Sequence, residues 1–184
     1  MARAFAEIAF TPSVRAAQDR FGSGKAGERF LSEEIDRRDT LTDNEASFIQ
    51  ARDGFYLGTV SEDGWPYIQF RGGPAGFLRV LDEKTIAWAD FRGNRQYLSA
   101  GNLGANDRVS LFLMDYPNRR RLKLWGRAQI VEAAENPGLV EALFPEGYKA
   151  IPERVVSVTV AAFDWNCPQH IPQRLTAEEW AAVE

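Results

Sequence analysis

The 184-residue chain holds one cysteine, Cys167, and one histidine, His170. A single thiol cannot form a disulfide within the chain, so a reducing, cytoplasmic compartment is the expectation. With so few thiol and imidazole ligands, a zinc site would have to draw on carboxylates, and no metal is expected. Cationic excess is missing as well: 22 Lys and Arg face 26 Asp and Glu, a formal net charge of −4, which argues against nucleic acid as a partner. No run approaches the roughly 18 apolar residues of a membrane span. Even Val155–Phe163 is interrupted by Ser157 and Thr159. Glu7 stands where an export signal would begin its apolar run, so no export signal is expected. There is neither an internal repeat nor a low-complexity segment.

What is present is the composition of one soluble globular domain, 45% apolar and 26% charged. We read residues 1–184 as a single domain with an N-terminal helical segment (1–53), a β-rich body (54–175) and a terminal helix (176–184). Thr11-Pro12 is a helix start, and the Gly22–Gly27 segment breaks the pattern. Thr42-Asp43-Asn44-Glu45 is a capping box that opens a short helix ending near Gly54. The runs Phe55–Val60, Trp65–Phe70, Gly76–Leu81 and Thr85–Ala89 then predict two hairpins. A helix is expected over Gln96–Gly104, strands over Val109–Met114, Leu122–Val131 and Val155–Phe163, and a helix over Glu135–Phe144 with Pro137 in its first turn. Asp164–Arg174 is too rich in proline to continue a ladder. Thr176–Glu179 is a second capping box.

Four segments carry chemistry. Gly93-Asn94-Arg95 sits between a strand and a helix start, where amides, an asparagine and a guanidinium can converge on a phosphate; the same tripeptide also serves as a solvated turn. Gln69-Phe70-Arg71-Gly72-Gly73 ends a strand, and its glycines either admit a planar ligand close to the backbone or mark a bulge. Arg119-Arg120-Arg121-Leu122-Lys123 is a basic run that strand alternation divides between two faces; it reads first as a solvated hairpin, with a phosphate contact from one arginine as the lesser alternative. Cys167-Pro168-Gln169-His170 pairs a thiol with an imidazole, but no oxyanion hole accompanies it, so a ligand-facing or packed loop is the better reading.

In this order the segments resemble the FMN-binding split-barrel superfamily of pyridoxamine 5′-phosphate oxidase, in its branch of flavin-nucleotide-binding proteins. The resemblance spans about residues 45–175. It rests on Arg71-Gly72-Gly73-Pro74-Ala75-Gly76-Phe77-Leu78; on Asp90-Phe91-Arg92-Gly93-Asn94-Arg95 with Ser99 and Asn102-Leu103; on Asn106–Leu111; on Trp125-Gly126-Arg127-Ala128; and on Asn166–Ile171. It implies a mainly β fold, a six-stranded antiparallel Greek-key split barrel flanked by short helices, and a homodimer with FMN at the subunit interface. By the same resemblance Gln69, Phe70, Arg71 and Gly72 lie along the flavin, Trp88 and Ala89 flank it, and Asn94 with Arg95 holds its phosphate. Arg121, Trp165, Asn166 and Arg174 supply further contacts. The implied function is that of an FMN-dependent oxidoreductase passing electrons from a reduced nicotinamide or other donor to a small acceptor or oxygen. Two alternatives stay open: a non-catalytic module that stores or senses flavin, and a split barrel using deazaflavin or haem, with His170 as an axial ligand. Gly93-Asn94-Arg95 replaces the oxidase's Ser-Arg-Lys, so the resemblance reaches the cofactor rather than pyridoxamine phosphate as substrate.

Overall fold

The computed structural model describes residues 2–32, 36–165 and 168–181. Its centre is one antiparallel sheet of seven strands: β1 (Gly54–Val60), β2 (Pro66–Gly72), β3 (Arg79–Asp82), β4 (Thr85–Phe91), β5 (Arg108–Asp115), β6 (Arg120–Glu132) and β7 (Pro152–Trp165). Their spatial order is β2-β1-β5-β6-β7-β4-β3. The architecture is the expected split barrel, with seven strands instead of six. Six is the number the resemblance implies; the strand runs read from the sequence already number seven, and the run expected over Gly76–Leu81 forms β3, four residues long and paired with β4.

The sheet curls until its ends face each other. Phe55 of β1 meets Trp88 of β4 edge-on at 5.1 Å and stacks on Phe77 at 5.9 Å. Arg71 of β2 reaches Asp90 of β4 at 3.2 Å. β1 and β5 alternate as half-buried strands must, with Phe55, Leu57, Leu111 and Leu113 inside and Tyr56, Ser110 and Phe112 outside. β4 is buried continuously from Ile86 to Asp90, because its second face is covered too. Ile86 and Trp88 enter the barrel core, while Ala87 and Ala89 pack with Val140 and Leu143 of helix α6 (Pro137–Leu143).

The helices trim this body. α1 (Ala4–Ala9), α2 (Pro12–Arg20) and α3 (Gly24–Arg29) precede the sheet, so the glycine-rich segment expected only to break the pattern contains a helix of its own. Gly22 alone, with φ +76°, makes the break. α1 lies against β7 and reaches β6, where Phe5 packs on Trp125 at 4.5 Å, and Arg3, Arg38 and Lys123 converge on Asp164 of β7. α4 (Asp43–Gln50) forms the expected capping box and buries Phe48 and Ile49 in the core. α5 (Leu98–Ala105) starts two residues later than expected because Tyr97 is left-handed, with φ 52°. Ser99 donates to Gln69 of β2 at 3.1 Å, and Asn102 to Thr59 of β1 at 3.0 Å. The short terminal helix α7 (Ala177–Ala181) follows its Thr176–Glu179 box. No helix among the described residues is long and apolar enough to cross a membrane.

Candidate functional site

Two concavities matter. The first is a narrow cleft of about 30 Å³ at the gap between β2 and β4, room for roughly two water-sized groups before it opens to solvent. β3 pairs with β4 only as far as Arg79↔Ala87, so the outer edge of Trp88–Phe91 lacks that strand neighbour. Strand alternation sends Gln69 and Arg71 into the cleft from β2 and turns Phe70 the other way. Asp90 enters from β4, directly opposite Arg154 of β7 in the ladder. The register slips there, Asp90 pairing with Arg154 and Phe91 with Pro152, which leaves Glu153 as an extra residue. That bulge lets the consecutive Glu153 and Arg154 both line the cleft, where a regular strand would divide them between two faces.

The loop of residues 92–97 forms the mouth. Arg95 and Tyr97 both have left-handed backbones, φ 62° and 52°, a cost that is tolerated mainly where a loop must aim its groups. Asn94 Oδ1 accepts from the Gln96 amide at 3.1 Å. Hydrogen bonding to Tyr97, together with the nearby Glu153 charge, holds the exposed Arg95 guanidinium above its ordinary pKa. Glu153 accepts from Arg92 Nε at 2.9 Å and from the Tyr97 hydroxyl at 3.2 Å, and the Arg92 bond leads in holding its carboxyl below the usual range. Arginines 71, 92, 95 and 154 thus stand against the two carboxylates that line the cleft, Asp90 and Glu153, and Arg154 reaches a third, Glu132, at 3.4 Å. Arg71 Nε is buried with no hydrogen-bond partner among the described residues. The arrangement is suited to a multiply charged oxyanion.

The second concavity is a broad groove of about 1160 Å³ on the outer face of β1, β2, β5 and β6. Tyr56, Ile68, Phe112 and Trp125 contribute apolar surface, and Arg121 and Arg174 stand in it, their guanidiniums over the rings of Phe112 and Tyr116. Arg121 Nε is also buried without a partner among the described residues. His170 lies at the same groove, exposed and with φ 65°. The cleft and the groove share no lining residue.

The residues singled out in the sequence therefore divide. Gln69, Arg71, Asn94 and Arg95 come together in the cleft, and Arg121 and Arg174 in the groove. Four others lie elsewhere. Phe70 is 58% exposed on the outer face, against Tyr56. Trp88 and Ala89 are each 1% exposed, one in the barrel core and the other under α6, so neither side chain flanks a cleft. Trp165 donates its indole N–H to Glu45 at 2.8 Å and packs edge-on against Phe48, which fixes it to α4. Gly72 also departs from the expectation of a ligand over bare backbone. A Cβ there would fall 2.8 Å from the Phe70 ring and one on Gly73 2.7 Å from Phe77, so the protein's own rings occupy that space. Asn166 lies outside the described residues, as does Cys167. The basic run separates as alternation requires: Arg120 stacks on Phe48 and Trp165, Arg121 faces the groove, and Lys123 turns to Asp164.

Sequence reasoning missed Glu153 and Arg154, which lie about sixty residues beyond the loop they meet, and whose joint appearance depends on a bulge that no local pattern announces. It quoted Asp90 within a motif without giving it a role.

Comparison with known proteins bears on the same region. The family model for pyridoxamine 5′-phosphate oxidase matches residues 41–166. Among solved structures the chain is similar to HupZ of Group A Streptococcus, at 16% identity over 73% of this chain and 99% of that one, with a TM-score of 0.56. It is similar to a pyridoxamine 5′-phosphate oxidase candidate from Lactobacillus delbrueckii, at 20% identity over 68% and 94%, TM-score 0.52. An FMN-binding protein from Syntrophomonas wolfei matches at 12% identity over 66% and 83%, TM-score 0.51. At these identities the likeness is one of fold. No curated protein matches the sequence.

Proposed function

The chain belongs to the pyridoxamine 5′-phosphate oxidase family, and from that premise we propose that it is an FMN-binding flavoprotein of oxidoreductase type, acting as a homodimer. The observation that carries the reading is the cleft between β2 and β4, where guanidiniums outnumber carboxylates and Arg71 keeps a buried, unpartnered Nε. This donor set fits a phosphate monoester: Arg71 at the base, with Asn94 and Arg95 at the exposed mouth. Gln69, beside Arg71 on the same face of β2, would donate to the edge of the ring. Bound FMN supplies the hydride and electron transfer. The protein's part is to orient the ring, exclude water from one face and hold positive charge near the side that gains electron density on reduction.

The separation of cleft and groove supports the dimer. A single copy presents Arg71 and the phosphate loop in one place and Arg121 with Arg174 in another, so one flavin would meet both sets where two copies adjoin. The outer face exposes Tyr56, Ile68 and Phe70, apolar surface of the kind that marks an association site. A two-fold dimer is the simplest closed arrangement.

An absorbance spectrum of the purified protein, before and after FMN loading and desalting, tests the cofactor, and light scattering tests the dimer. Retained flavin bands and a dimer mass are expected; a monomer that keeps FMN would contradict the shared site. Haem or deazaflavin bands would replace the cofactor assignment. Turnover of a reduced nicotinamide by the loaded protein is the outcome expected of an oxidoreductase, whereas tight binding without turnover across donors would mark a storage or sensing module.

A further inference from the structure

Asp90 is 5% exposed and divides its two oxygens between different arginines. Oδ1 lies 3.2 Å from Arg71 Nη1 and Oδ2 lies 3.3 Å from Arg154 Nη1. Arg154 stands in turn 3.6 Å from Glu153, which is held by Arg92 and Tyr97 of the mouth loop. One connected set of ion pairs therefore runs from β2 through β4 and β7 to the loop. Arg154 also pairs with Glu132 at 3.4 Å, whereas Arg71 has Asp90 as its one ion-pair partner among the described residues, so without that carboxylate the Arg71 guanidinium would face Arg154 unpaired in a partly desolvated site. Arg71 belongs to an end strand of the sheet, so its placement across the gap depends on that carboxylate.

We propose that Asp90 is a positioning residue: it makes no contact with the ligand but holds Arg71 across the gap so that Arg71 reads a phosphate monoester. This rests on the flavin reading above and goes further, because it assigns discrimination between FMN and riboflavin, which differ by that phosphate, to a buried carboxylate. A carboxylate near an anion site would ordinarily weaken binding. Here both oxygens are engaged by guanidiniums, so the gain from fixing Arg71 in advance exceeds the residual repulsion.

The test is titration of the full-length protein with FMN and with riboflavin, in the wild type and in Asp90→Asn, Asp90→Glu and Arg71→Ala, with the thermal stability of each ligand-free variant measured alongside. Asp90→Asn is expected to lower the preference for FMN over riboflavin about tenfold, the scale of one misplaced charge-assisted hydrogen bond, while riboflavin affinity stays within about twofold. Asp90→Glu, which keeps the charge but moves it by one methylene, should lose less. A preference unchanged or increased in Asp90→Asn would overturn the proposal, since the carboxylate would then be idle or merely a competitor for Arg71. Should Asp90→Asn fail to fold, Asp90→Ala is titrated in its place: a several-fold loss of preference supports the proposal, and a wild-type ratio overturns it. If the wild type shows no preference for FMN, or Arg71→Ala leaves the preference intact, the phosphate assignment itself is wrong and the role of Asp90 falls with it. If Arg71→Ala abolishes the preference while Asp90→Asn keeps it, only the positioning role fails.

Discussion

Replacing Glu45 by alanine tests how the helix at the barrel's end is tied to the last strand. The buried Glu45 carboxylate accepts from the Thr42 amide at 3.1 Å, from Asn44 at 2.9 Å and from the Trp165 indole at 2.8 Å. Glu45→Ala removes half of the capping box, worth about 1 kcal/mol, and leaves the indole N–H facing protein with nothing to receive it, worth about 1–3 kcal/mol. The expected loss is therefore about 2–4 kcal/mol. In a chain of this length each kcal/mol moves Tm by about 2–4 °C, so a fall on the order of 5–15 °C should appear in circular-dichroism melting at pH 7. The pH dependence has a definite sign. Burial pushes the carboxyl upward, but the hydrogen bonds from Thr42, Trp165 and Asn44 outweigh it and hold the group below its ordinary value. A lowered folded-state pKa contributes stability that is fully present above the unfolded value, about 4.3, and is lost as pH falls through the folded one. The gap between wild type and Glu45→Gln should thus be complete at neutral pH and close progressively below about pH 4. A change under about 2 °C for Glu45→Ala, or a Glu45→Gln gap that persists at the acid end, would refute the reasoning.

Two further substitutions probe the site loop and the sheet. Arg95→Gly relieves a left-handed backbone that glycine adopts freely, so the melting temperature should stay level or rise slightly while FMN affinity falls; a clear loss of stability would mean that the Arg95–Tyr97 contact outweighs the strain. Gly126→Ala would set a Cβ 2.5 Å from the Thr159 carbonyl oxygen, where β6 and β7 slip register around Ala161, and is expected to cost about 1–3 kcal/mol in urea unfolding. An unchanged midpoint would show that the bulge absorbs the methyl group.

Much of the fold was legible because its signals are local. The Thr42 and Thr176 boxes, the helix with Pro137 in its first turn and the alternation in β1 and β5 each follow from a few neighbouring residues, and each element formed. What failed was local inference about non-local facts. The Gly72-Gly73 pair offers open backbone in the sequence, yet the space is filled by Phe70 and Phe77, whose ring positions depend on strand pairing. Trp88 and Ala89 look like alternating strand residues with one free face; burial on both sides of β4 follows only from α6 lying across it, from some fifty residues downstream. In the site, the Asn94-Arg95 loop was readable as a phosphate-binding segment and the β2 end as one that faces a planar ligand; that Arg71 shares the loop's cleft was not readable. Nor was their shared wall of Glu153 and Arg154, because a bulge in a distant strand brings it there.

On the proposed reading, FMN is held through a phosphate seated between β2, β4 and the loop of residues 92–97. Titrating the purified wild type and Arg71→Ala with FMN by flavin-fluorescence quenching tests it most directly. A saturable wild-type complex that survives desalting is expected, with an affinity at least tenfold lower in Arg71→Ala, the loss of one buried charge-assisted contact to phosphate. Equal FMN affinity in the two proteins, or no retention of FMN by the wild type, would contradict it.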